Sequence, residues 1–266
     1  MSLREELKQN TGLILDDGVF YQAGLPRRNE FEQVYLSLRK KENRLYSDEI
    51  VKQLPDVTPD KTLKHEWQVR KDSVSKMIAY LKKKKTFKSI LEVGCGNGWF
   101  ANRLANDLSA DVLAIDVNES ELHQGSRVFS SEKLSFVYGD IFSIKLSAKK
   151  FNVVILASSI QYFPSIQLLI RRLLDLIGPD GEIHIIDSPA YTSDKGLIAA
   201  KKRSVEHFAE LGHPEMAEYY FHHTMKEIGT FNYEVLENPA GIIPALKRRL
   251  FKKSQTVFPW IVIKAS

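Results

Sequence analysis

Apolar positions recur along this chain with two different periods. Phe31, Val34, Tyr35 and Leu38 fall at i, i+3, i+4 and i+7, the stripe of an amphipathic helix. A short helix is expected from Ser47 through Leu54, stopped by Pro55 and Pro59. From about Thr62, the side chains Leu63, Trp67, Val74, Met77, Ile78 and Leu81 again keep to one side and predict a longer helix. Residues 1 to 84, which open with a polar start and a small apolar segment (Leu13 to Leu15, Val19 to Tyr21), therefore read as a helical extension. From residue 85 the pattern changes to short continuous apolar runs: Ser89 to Val93, Asp111 to Asp116, Leu134 to Tyr138, Phe151 to Ala157 and Glu182 to Asp187. Helix-like segments separate them, one of which (Leu168, Leu169, Leu173, Leu174, Ile177) is stopped by Gly178-Pro179-Asp180-Gly181. Runs apolar on both faces are central strands of a parallel sheet covered by helices. Tyr233 to Leu236 and Trp260 to Lys264 read as the last two strands. The alternation predicts an α/β domain over 85–266 with a doubly wound, mostly parallel sheet, whose ligands bind at the C-terminal ends of its strands.

The first run ends in Glu92-Val93-Gly94-Cys95-Gly96-Asn97-Gly98, and a helical pattern (Phe100, Leu104, Leu108) follows at once. Glycines are needed where the chain reverses with positive φ and a ligand approaches the backbone. A dinucleotide-binding turn reads G-x-G-x-x-G; here the spacing is G-x-G-x-G, and Trp99 stands where the third glycine would be. Glu92 would repel a pyrophosphate but suits a ligand carrying an ammonium group.

With these residues the sequence resembles the class I S-adenosylmethionine (SAM) methyltransferases, whose first motif is an acidic residue followed by G-x-G-x-G. The resemblance covers about 180 residues. It implies a seven-stranded Rossmann-like sheet with one strand antiparallel to the rest, and transfer of the sulfonium methyl to leave S-adenosylhomocysteine. It places the cofactor against Glu92, Gly94, Cys95, Gly96 and Gly98. Asp116, at the second strand's tip, would accept the ribose hydroxyls, and Asp140, at the third, the adenine amine, with Val117 and Ile141 over the ring faces. Each acid also has the plainer reading of capping the next helix. Ala157 and Ser158 would lie beside the transferred methyl. Ser158, Ser159, Gln161 and Tyr162 are candidate polar groups at the pocket mouth, in place of the Asn/Asp-Pro-Pro-aromatic motif usual in nucleobase amino methylation; any of them could equally cap the helix beginning near Ser165. The extension 1–84 resembles a cap folded over the cofactor, with Trp67 and Arg70 as lid residues and Tyr191 as another substrate-side candidate; Trp67 could equally be an anchor of its helix on the sheet.

Charge and special residues narrow the function further. The net charge of +5 comes largely from local runs, Lys82 to Lys85, Lys149-Lys150, Lys201 to Arg203 and Lys247 to Arg249 with Lys252-Lys253. Without aromatic interleaving these read as solvated helix ends rather than a phosphate track. The single cysteine, Cys95, excludes an intramolecular disulfide and a thiolate cluster. No apolar run approaches bilayer length and no leader pattern opens the chain, so a cytoplasmic protein is expected, monomeric or homodimeric. The stretch from Asp194 to about Ile228 reads as helical and carries His207, His213, His222 and His223. Neighbours on a helix point about 100° apart and cannot readily share an ion, so no metal is expected. His222, His223 and Tyr162 are the candidate catalytic groups, a histidine serving as general base on a hydroxyl nucleophile; structural histidines are the plainer alternative. The segment Ala240 to Phe251 is expected as a substrate-side insertion. The reading is a SAM-dependent methyltransferase of a small-molecule acceptor. Its alternatives are an RNA or protein methyltransferase, or a non-catalytic SAM-binding module.

Overall fold

In the computed structural model, which describes residues 2–27, 29–57, 61–84, 86–147, 150–238 and 258–265, the chain begins with α1 (Leu3–Gln9), capped by Ser2 and Glu5 in a reciprocal box. A hairpin of β1 (Leu13–Asp16) and β2 (Val19–Gln22) follows, then α2 (Glu30–Lys41), α3 (Asp48–Val51) and α4 (Lys64–Lys83). The alternating part runs β3 (Ser89–Val93), α5 (Trp99–Leu108), β4 (Asp111–Asp116), α6 (Glu119–Val128), β5 (Leu134–Tyr138), β6 (Phe151–Ala157), α7 (Ile166–Leu174) and β7 (Ile177–Ile186). It closes with β8 (Ala190–Tyr191), α8 (Asp194–Glu210), β9 (His223–Thr224), α9 (Met225–Ile228), β10 (Tyr233–Glu237) and β11 (Trp260–Lys264).

The main sheet has the order β1-β2-β5-β4-β3-β6-β7-β11-β10. Strands β3 to β7 run parallel, while β11 pairs antiparallel with both β7 and β10. The chain builds outward from β3 through β4 to β5, then returns to β3's other side with β6. The switch point is therefore at the end of β3, where a doubly wound sheet opens a crevice for ligands. Alternate residues of each central strand serve two cores. Ile90 and Val112 pack with Met77, Leu104 and Leu122 of α4, α5 and α6, whereas Leu91 and Leu113 pack with Leu3 and Leu169 of α1 and α7. Each such buried side chain contributes about 1.5–3 kcal/mol relative to exposure, and this two-sided burial fixes the strand register.

Two expectations change. The segment 1–84 is not wholly helical: Val19, Phe20 and Tyr21 are buried and pair in parallel with Phe136, Val137 and Tyr138, so β1 and β2 widen the seven-stranded sheet to nine. The Asp17-Gly18 turn has positive φ at both positions (43° and 81°), the geometry of a two-residue hairpin. The region 194–228 is not one continuous helix: α8 ends at Glu210, and a 3-10 turn (Pro214–Tyr219) and β9, parallel to β8, intervene before the single turn of α9. The Ala240 to Phe251 segment, Lys252-Lys253, Pro59, Lys85 and Lys149 lie outside the described residues.

Candidate active site

At the switch point the glycine turn is fixed by both conformation and packing. Gly94 and Gly98 have φ of 74° and 71°; a Cβ would lie 2.5 Å from Ser159 Cβ at the first and 2.3 Å from Phe136 Cε1 at the second. Gly98 therefore serves the turn and the start of α5, and it does not line the cavity described below. Asp116 locks the same turn from β4. Its Oδ2 accepts the Gly96 N–H at 2.7 Å, and its Oδ1 accepts those of Val117 and Asn118 at 2.7 and 2.9 Å. Burial raises the Asp116 carboxyl above the ordinary range while these three donors pull it back. Glu92 is 3% exposed. Its carboxyl accepts the Ala101 N–H, but Oε2 has no partner. Burial, then the Asp116 charge, holds it well above the usual carboxylate range. An orphaned buried acceptor on a cavity wall costs about 1–3 kcal/mol unless a ligand meets it.

Along β5 and β6 the tips are also occupied by local hydrogen bonds. Asp140 Oδ1 accepts the Phe142 N–H at 3.1 Å and Oδ2 the Ser143 hydroxyl at 2.8 Å, so Asp140 shapes its own loop. Ser158 holds φ at 54°, a strained value for a residue with a Cβ. Its hydroxyl donates to the Asp187 carbonyl at 2.9 Å, and Ser159 donates to the Val93 carbonyl at 2.8 Å. Ser165, not any of the upstream polar residues, caps α7.

The roof comes from α2 and α4. Phe31, Tyr35 and Arg39, four residues apart on α2, turn one face inward; Tyr35 and Phe31 lie 5.7 Å from the Tyr162 ring, and Arg39 Nη2 donates to the Tyr162 hydroxyl at 3.0 Å. On α4, Glu66 accepts Arg44 through both oxygens at 2.7 Å and Arg70 at 3.0 Å. Trp67 is 5% exposed and packs between Tyr46 and Trp99 at 5.9 and 5.6 Å.

Between floor and roof lies a cavity of about 860 Å³, large enough for a nucleoside-sized ligand and a small second molecule. The structure brings Glu92, Gly94, Cys95, Gly96, Asp116 and Val117 to its wall, together with Asp140, Ile141, Ala157 and Ser158. Ser159, Tyr162, Trp67 and Arg70 line it too. Gln161 and Tyr191 do not: the Gln161 amide donates to the Ser158 carbonyl at 2.6 Å, and the Tyr191 ring packs on His222. Neither His222 nor His223 reaches it. His223 is buried and donates Nε2–H to the Ile160 carbonyl at 3.0 Å, while His222 bonds Ser204 at 3.0 Å. Burial lowers both imidazoles below their ordinary range, which favours the neutral form. Among the described residues no cluster of His, Cys, Asp and Glu could hold a metal ion. Sequence reasoning missed Glu121, Tyr35, Arg39, Arg44 and Glu66, all of which line the cavity. The i, i+4, i+8 spacing of Phe31, Tyr35 and Arg39 is the available signal for α2, and Glu66 stands in the same run as the lid candidates Trp67 and Arg70; nothing local marks Glu121 or Arg44.

The unpartnered Glu92 oxygen, the glycine turn open to close approach, and acids at three strand tips suit a ligand with an ammonium group, a ribose and a base. The donor set thus fits the cofactor that the first motif implies. Residues 90–181 match the model of a methyltransferase domain family. An uncharacterized methyltransferase of Mycobacterium tuberculosis is 26% identical over 97 residues, 36% of this chain and 49% of the relative. The 27-O-demethylrifamycin SV methyltransferase of Amycolatopsis mediterranei is 26% identical over 118 residues, 43% of each chain. This chain thus spans about half the length of such relatives, or less. The solved structure of the plantazolicin methyltransferase BpumL in complex with S-adenosylhomocysteine superposes with a TM-score of 0.51 at 19% identity, covering 88% of this chain and 100% of that one. Residues 90–181 thus match a methyltransferase domain, and the chain shares the Rossmann-like fold of that solved structure, here with a nine-stranded sheet.

Proposed function

We propose that the protein binds SAM in this cavity and transfers its methyl group to a small-molecule acceptor. The observation that carries the reading is one continuous cavity, walled by Glu92, the glycine turn and Asp116 together with Phe31, Tyr35, Tyr162 and Arg39. When bound, the sulfonium supplies an already activated methyl, so the protein's part is mainly positioning, which can contribute roughly 7–11 kcal/mol. Glu92 Oε2 would meet the ammonium, Asp116 the ribose, and Asp140, Val117 and Ile141 the base. The α2 face and Tyr162 would hold the acceptor and exclude water. The reading is supported by the relatives: the 27-O-demethylrifamycin SV enzyme and the fatty-acid O-methyltransferase of Mycolicibacterium smegmatis are named for small acceptors.

A nucleic-acid acceptor is disfavoured by charge, since carboxylates outnumber guanidiniums along the cavity wall. The reading includes a cytoplasmic protein, acting as monomer or homodimer without a metal. No helix among the described residues is long and apolar enough to cross a membrane. The test is calorimetric titration with SAM, S-adenosylhomocysteine and NADH, repeated on Asp116→Ala. Tight binding of the first two, lost in the variant, supports the reading; binding of NADH instead overturns it. Productive binding then licenses a mass-spectrometric search for a +14 Da product in a metabolite panel.

A further inference from the structure

The Asp116 carboxylate is already heavily used. It accepts three backbone N–H groups, from Gly96, Val117 and Asn118, and a carboxylate offers about four lone-pair sites in all. About one remains free, whereas a ribose diol presents two hydroxyl donors. A second carboxyl stands on the same wall. Glu121, in the first turn of α6, accepts the Asn118 side-chain amide on Oε2 at 3.0 Å. The same oxygen lies 3.2 Å from where a Cβ on Gly96 would project. Gly96 is also the residue whose N–H binds Asp116, so the two carboxyls flank one peptide and face one cavity.

We propose that Glu121 is a second ribose-contacting carboxylate, taking the hydroxyl for which Asp116 has no free acceptor, and that cofactor binding is thereby coupled to loss of a proton from Glu121. The proposal rests on the SAM reading of the cavity. Burial, then the charge of Asp116, pushes Glu121 up to about 7; Arg39 on α2 and Arg70 on α4 draw it down, and Glu32 on α2 pushes it up again. Tyr35 on α2 and Glu92 on β3 face the same wall. A hydroxyl donates more strongly to an ionised carboxylate than to a neutral carboxyl. Ligand therefore favours the ionised form, affinity rises as pH rises through about 7, and a fraction of a proton leaves on binding at neutral pH.

The experiment titrates S-adenosylhomocysteine into the full chain by calorimetry at pH 6 and pH 8, and at pH 7 in buffers of different ionisation enthalpy, for the wild type and Glu121→Gln. Adenosine, 2′-deoxyadenosine and 3′-deoxyadenosine are run as competitors, and thermal melts check that the variant folds. The expected result is wild-type affinity about five- to tenfold tighter at pH 8 with proton release, a variant weakened about tenfold at pH 8 with a shallower pH profile and less proton release, and loss in the variant of the wild type's preference for one ribose hydroxyl. Wild-type binding with a pH profile and hydroxyl preference that Glu121→Gln leaves unchanged overturns the Glu121 assignment alone. A wild type that does not bind S-adenosylhomocysteine overturns the SAM reading and this inference with it. The hydroxyl preference separates a direct contact from a remote charge, because a purely structural or electrostatic Glu121 would leave it intact.

Discussion

The cavity's floor and roof are made by different means. At the floor, the tips of β3 and β4 present backbone, held by positive-φ glycines and by Asp116, whose three acceptor bonds span only the residues from Gly96 to Asn118. At the roof, α2 and α4 present side chains, held by the pairs Arg44–Glu66, Arg70–Glu66 and Arg39–Glu42 and by the Arg39 bond to Tyr162. A floor of this kind is rigid and indifferent to most side-chain identities; a roof of this kind can be rewritten residue by residue. The cofactor end of a methyltransferase domain is thus tied to its fold, and the acceptor end is free to vary on it.

Trp67 tests the comparison hardest, because it belongs to both. It lies in the core cluster with Met77 and Phe100 and also lines the cavity. Trp67→Ala is expected to cost about 3–5 kcal/mol of stability, more than a detachable lid residue would, and chemical denaturation measures it. A loss under about 1 kcal/mol with weakened ligand binding would restore the lid reading of the sequence and make the roof separable from the core. Next comes Gly98→Ala at the floor: the left-handed φ costs about 1–2 kcal/mol and displacement of Phe136 about 1–3 more. Its midpoint in urea should fall, although the residue touches no ligand. Asp116→Ala should leave the fold nearer intact but weaken S-adenosylhomocysteine about 100-fold, about 2.7 kcal/mol, since it releases the Gly96 peptide as well as a ligand contact. Tyr162→Phe should leave that affinity within about twofold while raising KM for the acceptor about tenfold; equal losses for cofactor and acceptor would erase the distinction between the two walls.

The same difference decides what was legible in the sequence. Floor geometry is written in residue types that have few other uses: three glycines at fixed spacing, and acids closing the apolar runs. The sheet follows because residues buried on both faces leave an unmistakable apolar run. The hairpin β1–β2 was marked only by Asp17-Gly18, and its four-residue strands were too short to register against the helical stripe after them. Two of the roof's bonds join residues 22 apart (Arg44 to Glu66) and 123 apart (Arg39 to Tyr162), and only tertiary packing determines such meetings. Phe31 and Tyr35 read only as a helical stripe, because an apolar stripe facing a cavity and one facing a core have the same period. His222 and His223 misled for the converse reason: chemistry-bearing side chains near a site can spend their donors on the backbone, as His223 does on Ile160.

The smallest expected effect lies in the roof's own electrostatics. Burial pushes the Glu66 carboxyl up, but the hydrogen bonds from Arg44 and the charges of Arg70 and Arg44 outweigh it and hold the group at about 2, below its ordinary 4.5. A carboxyl depressed in the folded state contributes stability that is complete above its unfolded value and lost as pH falls through the folded one. The roof's share is therefore intact at pH 6 and disappears between about 4.5 and 2. For a pair a third exposed that share is about 1 kcal/mol, a shift of about 2–4 °C in melting temperature for a chain of this size. Glu182, under the far end of the sheet with Lys84 and His184, is also held at about 2, so the wild-type acid transition mixes both. Glu66→Gln isolates the roof: its melting temperature should trail the wild type at pH 6 and meet it as the pH approaches 2. A gap that stays constant across that range would mean the two arginines hold Glu66 by shape rather than by charge, and the roof would then be as much a packed element as the floor.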